Sequence, residues 1–90
     1  MGDVRFSLCM IVKNEEAVLK DCLDSLQALM DEIIIVDTGS TDRTKEIAAQ
    51  YTDKIYDFQW CNDFSAARNF AFSKATGDYI YSADADEYID

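Results

Sequence analysis

The sequence has 90 residues, 49% hydrophobic and 29% charged, with 18 Asp and Glu against 8 Lys and Arg for a net charge of −10. That length holds one domain or less, and the composition is that of a folded chain and not a disordered one. The acidity argues against a nucleic-acid binder, which needs a basic face, and the absence of His removes the commonest general base and argues against structural zinc.

Arg5 to Val12 is mostly apolar and reads as a first strand. Lys13-Asn14-Glu15-Glu16 breaks it, with Asn14 placed to cap a helix and acids in its first turn. From Ala17 to Met30, Leu19, Leu23, Leu26 and Met30 recur at helical spacing, while Lys20, Asp21, Asp24 and Gln27 fall off that stripe and face water. Glu32 to Val36 is a second strand, and its run of branched residues predicts burial on both faces, as in a parallel strand covered by helices.

After Gly39, Ser40 or Thr41 is expected to cap a short helix through Gln50 or Tyr51, with Ile47, Ala48 and Tyr51 inward. Asp53 to Phe58 is a third strand. Asp63 caps a third helix, Phe64 to Ala75, whose Phe64, Ala67, Ala71 and Ala75 share a face, and Gly77 suits a left-handed C-cap. Tyr79 to Ala83 is a fourth strand running into Asp84-Ala85-Asp86-Glu87. The order βαβαβαβ predicts an α/β fold, an open, mostly parallel Rossmann-like sheet wrapped by helices. Cys9, Cys22 and Cys61 share no C-x-x-C spacing and read as reduced thiols. No apolar run approaches the ~18 residues of a spanning helix and no signal-peptide pattern opens the chain, so the expectation is a cytoplasmic protein with no transmembrane segment.

Ligands of such sheets sit outside the carboxyl ends of the strands. The clusters at residues 13–16, 37–42 and 84–87 all lie at those ends. Asp84 and Asp86, at i and i+2 of an extended segment, point to one side. Two carboxylates that close favour a cation between them, and oxygen-only ligands favour Mg²⁺ or Mn²⁺. Taken alone, this segment also reads as an acidic turn in water. Asp37, at the mouth of the second strand, can accept from a ligand N–H or hydroxyl while also capping the following turn through Gly39 or Ser40. Ser40, Thr41 and Asp42 read as helix-start residues. Arg68, among the small residues of the third helix, can pair with a phosphate or with a neighbouring Asp. Trp60, Phe58 and Phe64 read as satellite core.

Together, Met10-Ile11-Val12-Lys13-Asn14-Glu15-Glu16, Ile34-Ile35-Val36-Asp37-Thr38-Gly39-Ser40-Thr41-Asp42, Phe64-Ser65-Ala66-Ala67-Arg68-Asn69 and Gly77-Asp78-Tyr79-Ile80 leading to Asp84-Ala85-Asp86-Glu87 resemble family 2 glycosyltransferases, which have the GT-A fold. The wording is most similar to a bacterial branch often joined to helical repeat domains. The resemblance implies inverting transfer of a sugar from a nucleotide diphosphate donor, usually UDP-linked, to an acceptor it leaves unidentified. By position it implies that Ile11 and Lys13 contact the base and ribose mainly through backbone, with Glu15 nearby. It implies that Asp37 binds the uracil edge, Arg68 lies near base and phosphates, and Asp84 approaches ribose and metal. Asp86 would bind the divalent cation, Mg²⁺ or Mn²⁺, that bridges the diphosphate.

Family members continue well past the D-x-D with an acceptor site and a carboxylate base. The expectation for residues 1–90 is therefore a partial GT-A nucleotide-sugar-binding domain, inactive alone, with no catalytic base before residue 90 and the full-length enzyme cytoplasmic or peripheral at a membrane. An unpaired sheet edge past the fourth strand predicts a homodimer or strand-exchanged assembly. Two competing readings are an Asp-x-Asp phosphatase-like fragment, which leaves Asp37 and Arg68 unexplained, and a non-catalytic interaction module.

Overall fold

The computed structural model describes residues 4–59 and 63–84 and places four strands in one sheet: β1 (Phe6–Val12), β2 (Glu32–Asp37), β3 (Ile55–Asp57) and β4 (Tyr79–Asp84). All neighbours pair in parallel, in the order β3-β2-β1-β4. The connections carry helices α1 (Leu19–Leu26), α2 (Thr44–Ala48) and α3 (Phe64–Lys74), giving the α/β arrangement expected from the sequence. No helix among the described residues is long and apolar enough to cross a membrane.

Alternation along β1 divides the core between the two sheet faces. Leu8, Met10 and Val12 point to one face and pack with Leu19, Leu23, Leu26 and Ala48 of α1 and α2, with Ile47 and Tyr51 half-buried against them. Cys9 points to the other, where it joins Ile34, Val36 and Ala71 under α3. Every residue of β2 is buried, as its branched run requires of a central parallel strand. Burial and the charge of Glu32 push the Cys9 thiol up to about 11, so it sits protonated and donates to the Ala71 carbonyl at 3.6 Å.

Four local expectations are corrected. The first helix does not run from Ala17 to Met30. It covers Leu19–Leu26, tightens into a 3-10 turn at Gln27–Leu29, and ends with Met30 extended toward β2. Asn14 does not cap it: the N-cap is Val18, and Asn14 lies at φ +52°, its side chain used by another loop. Ser40 and Thr41 do not start the second helix, because the same loop holds them; α2 begins at Thr44, behind the Asp42 carboxylate that accepts from the Thr44 N–H at 2.9 Å. Gly77 is not left-handed. Its amide donates to Ser7 Oγ at 2.9 Å, and a Cβ there would lie 2.5 Å from that oxygen and 3.0 Å from the Arg5 carbonyl. Gly39, at φ +118°, is the glycine that needs its freedom. The Asp63 cap stands as read, its carboxylate accepting from the Ala66 N–H at 3.2 Å.

At the amino ends of the strands the buried Glu32 carboxylate gathers the Ser7 hydroxyl, the Thr76 N–H and hydroxyl, and the Lys54 ammonium. Burial pushes its carboxyl up, but these donors outweigh it and leave the group at about 2. On the far side of β1, β4 is an edge strand, and Tyr79 and Tyr81 stay exposed with Phe6, which stacks on Tyr79 at 5.6 Å between ring centroids.

Candidate functional site

Register brings the carboxyl ends of β1, β2, β3 and β4 to one edge of the sheet. Val12 pairs with Asp37, Asp37 with Asp57, and Ile11 with Asp84. The loops after β1 and β2 then lock together. The Asn14 N–H donates to Ser40 Oγ at 2.9 Å, and Asn14 Oδ1 accepts from the Thr41 N–H at 2.8 Å. One step on, the Glu15 N–H donates to Thr44 Oγ1 at 2.8 Å and the Arg43 N–H to Glu16 Oε2 at 3.3 Å. The Thr44 hydroxyl in turn donates to Asp42, and that bond is the main reason the Asp42 carboxyl sits below its ordinary range. Two loops far apart in sequence thus form a single polar shelf, with its amides spent on neighbouring side chains.

Asp37 divides its two oxygens. Oδ1 accepts from the Gly39 N–H at 2.8 Å and the Ser40 N–H at 2.7 Å, which is the turn-capping role, in a turn where Gly39 takes a positive φ. Oδ2 is buried without a hydrogen-bond partner among the described residues. A residue 2% exposed with one carboxylate oxygen unsatisfied is an unusual arrangement in a folded interior, because an unmade hydrogen bond there costs about 1–3 kcal/mol. Lys13 and Arg68, both expected near Asp37, are exposed and do not supply the missing bond.

Asp37 lines a cleft of ≈ 360 Å³ with Thr38, Gly39, Ser40, Lys45, Asp57, Phe58 and Gln59. Lys45, on α2, pairs with Asp57 at 2.7 Å, and both line the cleft. The bond to Asp57 raises the pKa of Lys45, with the charges of Asp57 and Asp37 adding to it. Neither Lys45 nor Asp57 was found by sequence reasoning. The signal available was a lone Lys on the short helix that directly follows an acid-rich loop. Phe58 also lines the cleft while packing on Phe70 at 5.1 Å between ring centroids, so it belongs to both core and site.

Of the other predicted site residues, Ile11, Glu15 and the backbone of Asp84 fall at the same edge. Ile11 is half-buried beside the α3 cluster, and Glu15 is half-buried on the interlocked shelf. Arg68 lies exposed in the middle of α3, and the segment that follows this helix is tied to the amino edge by the bond from the Thr76 N–H to Glu32. Asp84 places its backbone beside Ile11; its side chain and Asp86 lie outside the described residues. Among the described residues no group of three or more His, Cys, Asp or Glu could hold a metal ion.

The family model described as glycosyl transferase family 2 matches residues 7–90. The chain belongs to glycosyl transferase family 2. Among the relatives of this family 2 chain, a TPR repeat-containing protein of Synechococcus elongatus is 52% identical over 83 residues, 92% of this chain. The SPbeta prophage-derived glycosyltransferase SunS of Bacillus subtilis is 42% identical over 78 residues, 84% of this chain. The chain spans only 21% and 18% of the length of these two relatives. Among solved structures, glucosyl-3-phosphoglycerate synthase of Mycobacterium tuberculosis, in complex with Mg²⁺ and UDP, superposes with a TM-score of 0.80 at 24% identity, covering 94% of this chain and 34% of that one. S. aureus TarS superposes at 0.76 with 28% identity, covering 96% of this chain and 28% of TarS. The fold is therefore that of the GT-A glycosyltransferases.

Proposed function

We propose that this chain is the nucleotide-sugar-binding part of an inverting, metal-dependent glycosyltransferase with a UDP-sugar donor, and that residues 1–90 form only part of a GT-A domain. The observation that carries it is Asp37 Oδ2, a buried acceptor without a partner among the described residues, in a cleft at the carboxyl edge of a parallel sheet. A ligand N–H is the group that would satisfy it, and the ring N–H of uracil fits that requirement. Ile11 and Lys13 would hold base and ribose through backbone, with Glu15 beside them on the interlocked shelf. Arg68, exposed on α3, would face the diphosphate, where a guanidinium forms paired hydrogen bonds to phosphate oxygens.

Asp84 and Asp86 offer the oxygen-only donors that a hard divalent cation takes, and Asp84 ends β4 beside Ile11, next to the proposed base site. Bound there, Mg²⁺ or Mn²⁺ would offset the charge that builds on the diphosphate as the sugar–phosphate bond breaks. The M. tuberculosis synthase was also solved with Mn²⁺ and UDP-glucose, which supports the same ligand pair here. A protein of net charge −10 needs such a cation to hold a diphosphate. No residue of this chain is assigned as the base; alone, it would bind donor without transferring sugar.

Calorimetric titration with UDP in the presence and absence of Mn²⁺ tests the reading. UDP is expected to bind only with the metal, and Asp86→Ala is expected to weaken binding at least about tenfold, or ~1.4 kcal/mol. UDP binding indifferent to both metal and substitution would remove Asp86 from the site. No UDP binding under any condition would overturn the nucleotide reading itself.

A further inference from the structure

The Lys45–Asp57 pair is the feature of the cleft that the reading above leaves unused. Both residues line it with Asp37, and Asp57 is the β3 residue registered directly against Asp37. The Phe58 N–H donates to the Asp37 carbonyl at 2.8 Å, so the end of β3 is fixed to the residue that carries the unsatisfied oxygen. Lys45 is anchored by one short contact to Asp57, and its side chain is 46% exposed. An ammonium has three donors. A single ion pair at a surface leaves capacity for a ligand oxygen in the same cleft.

A carboxylate acceptor next to an ammonium donor is a pattern that can be matched to a base edge. Uracil presents a ring N–H flanked by carbonyl oxygens, so it offers a donor with an acceptor at its side. Cytosine presents an unprotonated ring nitrogen and an amino group at the corresponding positions, which is the opposite pattern. Cytosine would set its ring nitrogen lone pair against the Asp37 carboxylate and its amino group against the Lys45 ammonium.

We propose that Lys45, held in place by Asp57, is a base-reading residue: its ammonium donates to a carbonyl oxygen of the pyrimidine whose ring N–H donates to Asp37, so the cleft selects uracil over cytosine. This rests on the nucleotide reading above and adds a specificity determinant to it. Discrimination arises because the wrong base leaves buried polar groups unpaired, a stronger source of selectivity than shape alone. The competing role for Lys45 is a surface ion pair that contributes little to anything.

The test is titration of the protein with UDP and, separately, CDP in Mn²⁺, on the wild type, Lys45→Met and Lys45→Arg. Melting curves should match among the three, since the Lys45 side chain is nearly half exposed. Wild type is expected to prefer UDP by roughly 100-fold. Lys45→Met should weaken UDP by about tenfold while leaving CDP unchanged or tighter, so the preference falls by at least that factor, and Lys45→Arg should keep most of it. If wild type prefers UDP but Lys45→Met keeps the UDP-to-CDP ratio, the role of Lys45 is overturned and the nucleotide reading stands. If wild type binds neither nucleotide, both are overturned.

Discussion

Asn14 and Thr41 stand 27 positions apart in sequence, yet the Asn14 side-chain oxygen accepts the Thr41 N–H at 2.8 Å. Asn14 also occupies φ +52°, a left-handed conformation that Asn tolerates better than other residues with a Cβ. The residue thus serves two needs at once, the backbone turn after β1 and the tie to the loop after β2. Asn14→Gly keeps the first and loses the second, so it should cost about 1 kcal/mol in denaturant unfolding. Asn14→Val should cost about 1–2 kcal/mol more, from the Cβ in a left-handed site. Equal destabilisation by both variants would show that the tie, and not the turn, is what Asn14 supplies.

Asp37 carries separable roles on its two oxygens, and two substitutions separate them. Asp37→Asn can keep Oδ1 as acceptor for the Gly39 and Ser40 amides while placing an NH₂ donor where Oδ2 stands. Folding stability should change by less than about 1 kcal/mol, while UDP binding should fall at least about tenfold, because a donor then faces the base N–H. Asp37→Ala loses both roles and leaves two turn amides unpaired, at a cost of about 2 kcal/mol in urea unfolding. An Asp37→Asn variant that binds UDP as wild type does would detach Oδ2 from the ligand.

Much of this was legible in the sequence where a physical signal was periodic. The stripe of Leu19, Leu23 and Leu26, the branched run of β2 and the Asp63 cap each follow from local rules, and the structure repeats them. Convergence of the acids at strand mouths followed from topology, since parallel strands with helical crossovers leave their carboxyl ends on one edge. The misreadings came from residues with more than one good use. Asn suits an N-cap and a left-handed turn equally, and only the partner loop decides between them at Asn14. Glycine suits a positive φ and a close approach equally, and only the position of Ser7 decides at Gly77. Glu32 and Asp57 were illegible because a charged residue at a strand end looks solvated until its neighbours from distant segments are known, and Lys45, lone on its short helix after an acid-rich loop, left only a weak trace.

Gly77→Ala tests the close approach. The added Cβ would meet Ser7 Oγ at 2.5 Å, and that oxygen cannot swing freely because it donates to Glu32 at 2.8 Å. The substitution should cost about 1–3 kcal/mol as overpacking, measured by thermal or urea unfolding. Adding Ser7→Ala removes the nearest oxygen and should recover part of the loss, leaving the 3.0 Å contact to the Arg5 carbonyl. Stability unchanged by Gly77→Ala alone would mean the two segments separate at little cost.

Acid stability should report on Glu32. Its carboxyl ordinarily titrates at 4.5, and in the folded chain at about 2, held there against burial by Lys54, Thr76 and Ser7. A depressed folded value means the unfolded chain takes up the proton first, so the stabilisation is full above about pH 4.5 and drains away as pH falls toward 2. The gap corresponds to about 3 kcal/mol as an upper figure. Urea midpoints between pH 6 and pH 3 should therefore fall more steeply in wild type than in Glu32→Gln. The variant should start lower at pH 6, since the Lys54 ammonium loses its partner and one amide hydrogen faces the former donors. If the two pH profiles run parallel, the Glu32 cluster does not hold the amino edge of the sheet in the way its geometry indicates.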